Sequence, residues 1–434
     1  MKKVKQYVIH GGKPLSGEVF ISGAKNAAAS ILPGAMLING ICRISNVPRI
    51  SDVKLTIEIM ERLGARVKNI DAETIEVDGR AVQPGTVPQE LGSQMRASHF
   101  FIGSMLGRFG RAHVSLPGGC GLGARPIDQH LKGFAQMGAC NRIEDGMLQV
   151  SIPGSQTDEE SGNEGKGKLK GARIRFDMVT VGATMNLMLA AALAKGTTVL
   201  ENAAREPHIV DLAGFLNAMG GDVSGAGTNT ITINGVPSLK GGEYRLIPDQ
   251  IETGTYMAAA AAAGGDVSLK GVIPQHMEYI SSVLSAMGME IEEGSDFIVV
   301  RKNNRLKGID ITTMPYPGFP TDMQPQIAAV LCLAEGRSTV RESIWEDRFR
   351  YAEQLCRMGA DIKVEGRVAV IEGVSKLYGA EVEAYDLRAG AALVIAALAA
   401  VGTTKIRHVN YIERGYHDMV GKLSRLGADI YVEE

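Results

Sequence analysis

The chain has no apolar run long enough to cross a bilayer, no block of lysines and arginines, and no CxxC pair. Its longest apolar runs, residues 257–264 and 389–401, fall short of the roughly 20 residues a spanning helix needs, so membrane insertion is not expected. Forty-six Lys and Arg face 48 Asp and Glu, a net charge of -2, which argues against nucleic acid as the main partner. Five cysteines, an odd number, fit a reducing cytoplasm better than a disulfide or zinc framework. Residues 1–10 are polar and mixed and read as no secretory leader. What is left is a 434-residue chain, 45% hydrophobic, able to bury a sizeable core. Length alone suggests roughly three domains of about 150 residues.

Glycine overrules that division. Gly40, Gly110, Gly196, Gly265, Gly336 and Gly402 each end an apolar, Ala-rich run and open an alternating stretch such as Thr197-Thr-Val-Leu200. Between 23 and 28 residues later comes a second glycine, at Gly64, Gly138, Gly220, Gly288, Gly359 and Gly427. A Leu-x-Gly follows at Leu15, Leu169, Leu239, Leu306 and Leu377. A unit of about 70 residues thus recurs six times, reading as strand, helix, glycine stop, strand pair and closing Ala-rich helix. Such units must stack to bury their apolar faces, and six split naturally into two groups of three. The Gly110 to Gly196 spacing is about 16 residues longer than the rest, and the excess coincides with residues 155–168, a Ser, Gly, Glu and Lys stretch read as a solvated loop insertion.

The first unit lacks its opening half and the last its closing half, so a strand near residues 4–9 is expected to complete the last unit. One domain then spans 22–248 with its insertion, and a discontinuous one combines 1–21 with 249–434. Two crossings between them would form a hinge.

Fourteen residues before each closing glycine stand Asn26, Arg96, Gly182, Ile251, Asp322 and Arg388, with Lys25, Asp249, Thr321 and Asp386 beside them. If three units pack around each domain axis, these helix N-termini converge on a cleft that favours anions. Thr321 and Asp322 suit plain helix caps. Lys25, Arg96 and Arg388 oppose the helix dipole and fit a bound polyanion better. A second constellation surrounds Cys120: four glycines in seven residues, with Arg125 nearby, make a loop that can approach a ligand and give the thiol thiolate character. Cys42, Cys140, Cys332 and Cys356 sit in apolar patterns and read as small buried hydrophobes.

Seven motifs now carry a resemblance: Gly23-Ala-Lys-Asn-Ala27, Met95-Arg-Ala-Ser98, Pro117-Gly-Gly-Cys120 with Gly123-Ala-Arg-Pro126, Glu201-Asn-Ala-Ala-Arg-Glu-Pro207, Phe319-Pro-Thr-Asp-Met-Gln324, Asp386-Leu-Arg388 and Glu413-Arg-Gly-Tyr416. From about Gly17 to Gly427 the chain resembles the UDP-N-acetylglucosamine 1-carboxyvinyltransferase family of enolpyruvyl transferases. The resemblance implies an α/β fold, a two-domain inside-out α/β barrel with three repeats per domain. It also implies the first committed step of peptidoglycan synthesis, a cell-wall reaction tied to cell shape and division and the target of fosfomycin. In it the sugar 3-hydroxyl adds to C2 of phosphoenolpyruvate while C3 takes up a proton, and the intermediate loses C3–H and phosphate.

On this resemblance Cys120 is the proton donor to C3 and Asp322 the base beside the sugar hydroxyl. Lys25, Arg125 and Arg414 hold phosphoenolpyruvate, while Asn26, Asp249, Asp386 and Arg388 complete the polar shell and anchor the closed state. Arg96, Arg125, Pro126, Ile127, Asp128, Gln129 and Ile344 contact UDP-N-acetylglucosamine. No metal or cofactor is implied. Met178 stands where many members carry Lys, and Gln250 where a basic residue is common. Two alternatives remain: the related transferase acting on shikimate 3-phosphate, and a non-catalytic paralogue that binds nucleotide sugars.

Overall fold

A computed structural model describes residues 5–115, 127–153 and 167–434. These divide into two compact units, one of residues 5–22 with 248–434, the other of 23–115, 127–153 and 167–247. Among the described residues no helix is long and apolar enough to cross a membrane.

Among the described residues the sixfold repeat appears as six four-stranded sheets with one pairing scheme. In each, an edge strand runs parallel to the strand after the closing glycine, which pairs antiparallel with a third strand, itself antiparallel to a fourth. Thus Arg173–Arg175 lies parallel to Thr197–Glu201, which pairs with Thr230–Asn234 and then Asp222–Ser224. The strand expected near residues 4–9 is Gln6–His10, and it lies between Thr403–Arg407 and Asp429–Glu433, so the two ends of the chain share a sheet. One face of each sheet is buried: in Thr197–Glu201 only Thr198 and Leu200 point inward.

The glycines explain the period. Those of the second signature, from Gly64 to Gly427, all adopt positive φ after a helix, a conformation in which a side chain is strained. Three of the five Leu-x-Gly glycines answer a different need. A Cβ on Gly171, Gly241 or Gly379 would stand 2.1–2.3 Å from the carbonyl oxygen of Thr197, Ile41 or Thr403, on the neighbouring strand.

Inside each unit three helices pack on one another. They are Gln250–Ala263, Gln324–Leu331 and Leu387–Ala399 in one unit, and Lys25–Ala35, Phe100–Phe109 and Val181–Ala191 in the other. Residues 257–262 and 389–398 are buried on every side, as an all-round apolar helix must be. The outer helix Glu278–Met287 instead buries one stripe, with Ile280, Leu284 and Met287. The six positions fourteen before the closing glycines lie at the N-terminal ends of the six inner helices or in the single turns, Arg96–His99 and Thr321–Met323, that lead into them.

The cysteines need correcting. Cys42 and Cys332 are buried, and burial pushes the Cys42 thiol up to about 12 and raises that of Cys332 as well, so both are inert. Cys140 and Cys356 are exposed. Cys140 opens Cys140–Glu144, an edge strand exposed throughout, and Cys356 lies on the solvent side of Tyr351–Arg357, whose buried residues are Tyr351, Ala352, Gln354 and Leu355.

Candidate active site

Asp322 does not cap a helix. The turn Thr321–Met323 and the helix Gln324–Leu331 carry no side-chain cap bond, and the Asp322 carboxylate turns to two arginines instead. Arg348 Nη2 lies 3.3 Å from Oδ1; Arg388 Nη2 and Nε lie 3.1 and 3.3 Å from Oδ2. Both guanidiniums are buried, 2% and 4% exposed, whereas the carboxylate is 32% exposed. Each oxygen therefore has a fixed donor while the group still reaches solvent. Burial works against the Arg388 cation, but the hydroxyl of Tyr416 and the carboxylates of Asp322 and Asp249 outweigh it and hold its pKa above the ordinary arginine value. Gln326 Nε2 donates to the Asp322 carbonyl at 2.8 Å and lies 3.3 Å from the Tyr416 hydroxyl, itself 2.9 Å from Thr255 Oγ1.

Asp249 and Asp386 cap two of the inner helices of this unit. Asp249 Oδ1 accepts from Ile251 N and Glu252 N at 2.8 and 2.9 Å, and Asp386 Oδ1 accepts from Arg388 N and Ala389 N at the same distances. Arg414 follows the short helix Asn410–Glu413, half-buried. Ile344 is half-buried, and its N–H donates to Glu342 Oε1 at 2.9 Å.

In the other unit Lys25 begins the helix Lys25–Ala35 and pairs at 2.7 Å with Asp52, in the first turn of Ser51–Arg62. Asn26, beside it, is half-buried. Ile127 precedes the helix Asp128–Gln136. Gln129 Nε2 donates to Asp128 and Asp177, both at 2.9 Å, and Gln129 Oε1 accepts from Asp177 N at 3.0 Å. Lys132 pairs with Asp177 at 2.6 Å, and Met178, next to it, is exposed. Cys120, Arg125 and Pro126 lie outside the described residues, as do the side chain of Arg96 and residues 155–166 of the insertion.

Sequence reading missed Arg348, Glu342, Asp52 and Asp177. Asp52 had a local signal, the helix-opening pair Ser51-Asp52. Arg348 had none, because its partners Thr321 and Asp322 lie on another segment.

A family model for EPSP synthase (3-phosphoshikimate 1-carboxyvinyltransferase) matches residues 9–423. The chain is 52% identical to the UDP-N-acetylglucosamine 1-carboxyvinyltransferase 3 of Caldanaerobacter subterraneus subsp. tengcongensis, over 98% of this chain and 99% of that one. It is also 52% identical to the UDP-N-acetylglucosamine 1-carboxyvinyltransferase 2 of Clostridium acetobutylicum, with the same coverage. The chain belongs to the UDP-N-acetylglucosamine 1-carboxyvinyltransferases. Its fold is that of the enolpyruvyl transferases: the solved enolpyruvyl transferase NikO from Streptomyces tendae aligns with a TM-score of 0.87 at 28% identity, covering 99% of each chain. EPSP synthase from Acinetobacter baumannii shares the fold at a TM-score of 0.75 and 20% identity, covering all of both chains.

The geometry at Asp322 has a physical consequence. A carboxylate fixed at both oxygens by rigid, buried donors is oriented before substrate arrives, and it loses no entropy in becoming so.

Proposed function

We propose that the chain transfers the enolpyruvyl group of phosphoenolpyruvate to the 3-hydroxyl of UDP-N-acetylglucosamine and releases phosphate, the first committed step of peptidoglycan synthesis, in the cytoplasm. End-to-end identity with relatives of that name carries this reading. The Asp322 arrangement supports its chemistry.

Asp322 takes the proton of the 3-hydroxyl as the hydroxyl oxygen bonds to C2, and Cys120 gives C3 a proton from its thiol. The tetrahedral adduct then returns a C3 proton to the Cys120 thiolate as the C2–O bond to phosphate breaks, and the leaving phosphate accepts the proton held by Asp322. A thiol that gives and retrieves a proton near neutral pH suits the first role. Lys25, Arg125 and Arg414 hold the phosphate and carboxylate of phosphoenolpyruvate, the arginines with bidentate geometry available. Asn26, Asp249, Asp386 and Arg388 complete the polar shell. Arg96, Arg125, Pro126, Ile127, Asp128, Gln129 and Ile344 contact the sugar nucleotide. Gln129 enters that role pre-oriented by Asp177.

Phosphate release from phosphoenolpyruvate, measured with UDP-N-acetylglucosamine and separately with shikimate 3-phosphate, tests the reading. Turnover with the sugar nucleotide alone is expected; turnover only with shikimate 3-phosphate, or with neither, would overturn it. Cys120→Ala should abolish turnover. Cys120→Asp should retain some, since a carboxylic acid can supply the proton, while resisting thiol-alkylating epoxides of the fosfomycin type.

A further inference from the structure

Glu342 follows the strand Arg337–Arg341 and is 1% exposed. Among the described residues no cation lies within ion-pair distance of its carboxylate. An ionised carboxylate buried this way is costly unless hydrogen bonds replace water. Three do. Oε1 accepts from Ile344 N at 2.9 Å and from Trp345 N at 3.1 Å, and Oε2 accepts from the Thr321 hydroxyl at 3.1 Å. The Glu342 backbone is itself fixed, its N–H donating to the Arg367 carbonyl at 2.8 Å.

The three bonds join two segments far apart in sequence. One is the turn Thr321–Met323, which carries Asp322; the other is the stretch 343–345, which carries Ile344. On the Thr321 side a second anchor acts: Arg348 Nη2 donates to the Thr321 carbonyl at 3.1 Å while also meeting Asp322 Oδ1. The turn is thus held at its hydroxyl by Glu342 and at its carbonyl by Arg348. On the other side Ser343 N donates to Thr313 Oγ1 at 2.9 Å, so the stretch is pinned just before Ile344.

We infer that Glu342 is a positioning residue that sets the Asp322 turn and the Ile344 segment in one fixed relation, so that the group taking the hydroxyl proton and the segment holding the sugar nucleotide stay in register. This rests on the roles proposed above for Asp322 and Ile344. The chemistry lies in geometry rather than charge. A glutamine has the same shape, could accept from both backbone N–H groups with its oxygen, and could donate to Thr321 with its nitrogen.

Three variants and two readouts test it. Thr321→Val severs the arm to the Asp322 turn alone and should lower kcat roughly tenfold with KM for UDP-N-acetylglucosamine within about twofold, because misplacing a reacting group costs rate. Glu342→Ala severs both arms and should lower kcat and also raise that KM roughly tenfold. Glu342→Gln should stay near wild type in both. Amide hydrogen exchange supplies a readout independent of turnover: peptides covering Ile344 and Trp345 should exchange faster in Glu342→Ala and unchanged in Thr321→Val.

The inference fails if Thr321→Val and Glu342→Ala, melting as wild type does, keep wild-type kcat and KM. It fails equally if Glu342→Gln falls as far as Glu342→Ala, or if Glu342→Ala leaves exchange at Ile344 and Trp345 unaltered. Should wild-type protein release no phosphate with either acceptor, the proposed reaction falls, and hydrogen exchange alone decides whether Glu342 anchors the segment.

Discussion

The two units build the same bundle of three buried helices, yet they treat the N-terminal ends of those helices differently. In the unit of residues 5–22 and 248–434, carboxylates do the work. Asp249 and Asp386 each satisfy two N–H groups of an inner helix, and Asp322, at the third, is held by two arginines. In the other unit Lys25–Ala35 and Phe100–Phe109 have no side-chain cap, and Thr180 caps Val181–Ala191 only through a 3.5 Å contact to Ala183 N. A helix whose first N–H groups lack side-chain partners, opened by a lysine, suits an incoming anion; one already capped by a carboxylate does not. The repeat therefore preserves geometry while the two units close their inner helices differently, one with carboxylates at two of the three and the other with a single weak hydroxyl contact. The interiors differ in the same sense. The first unit buries an ion pair, Glu252 with Lys422, whose ammonium also reaches Ser22 Oγ at 2.7 Å. The second buries a neutral amide, Asn186, whose oxygen accepts from Gly103 N at 2.8 Å and whose nitrogen donates to the His99 carbonyl at 2.9 Å.

The sharpest break in that comparison is Asp322→Asn. A carboxylate that takes a proton and one that merely closes a turn differ in rate. Asparagine removes the charge facing the buried Arg348 and Arg388 and keeps one accepting oxygen, so it should lower the thermal midpoint, and a folded variant should lose turnover by roughly 10²–10⁴-fold. A variant with full turnover would leave Asp322 a structural role only.

Next in size is Lys422→Met. It leaves Glu252 buried without its cation, a change that costs about 3–5 kcal/mol in such pairs, measured by urea unfolding at neutral pH. Burial already raises the Glu252 pKa despite Lys422. A carboxyl whose pKa is raised on folding binds its proton more readily in the folded state, so stability falls as pH rises. The penalty should therefore be smaller at pH 5 than at pH 8. Adding Glu252→Leu to Lys422→Met should recover most of the loss, since removing both charges removes the desolvation cost as well.

The second unit offers the matching experiment without a cation. Burial pushes the Asp211 carboxyl up to about 6, against the lowering effect of the Tyr244 hydroxyl at 2.7 Å and of Ile247 N at 3.4 Å. The sign follows from linkage. Below the unfolded carboxylate value near 4 the group costs nothing; between there and about pH 6 folding increasingly opposes its ionisation, and above pH 6 the loss levels off at about 3 kcal/mol. Asp211→Asn should flatten this segment of the stability profile between pH 4 and 6. An unchanged slope would mean that Asp211 stays ionised in the folded protein.

How much of this was legible in the sequence follows from where partners sit. The period, the strand completing the last unit and the helix starts could be read because glycine at a left-handed turn or against a neighbouring strand leaves a local mark. Capping by Asp249 and Asp386 had one too, an acidic residue two before the helix position picked out by the count. Asp322 looked like the same kind of cap and was not, because its partners are Arg348 and Arg388, 26 and 66 residues on. Glu252 and Lys422, 170 residues apart, left no trace either. Periodicity reports which face of an element is buried; it is silent on which buried charge meets which. Cys140 and Cys356 failed for a related reason: apolar neighbours in sequence do not place a residue on the inner face.

The smallest effect tests the caps themselves. Asp249→Ala and Asp386→Ala each remove two short hydrogen bonds and a negative charge favourably placed at a helix N-terminus, so each should lower stability by about 1 kcal/mol and at most about 2. Thr180→Ala removes one 3.5 Å contact and no charge, and it should cost less than either, near the lower bound of about 0.5 kcal/mol. The order matters more than the sizes. If the two units really differ in how they close their inner helices, urea unfolding must rank both aspartates above Thr180. Asp249→Asn and Asp386→Asn should keep most of the stability, because asparagine caps about as well. Equal losses at all three sites would mean that the carboxylates add nothing to capping beyond what a hydroxyl gives, and the contrast between the units would then reduce to the arginine-held Asp322 alone.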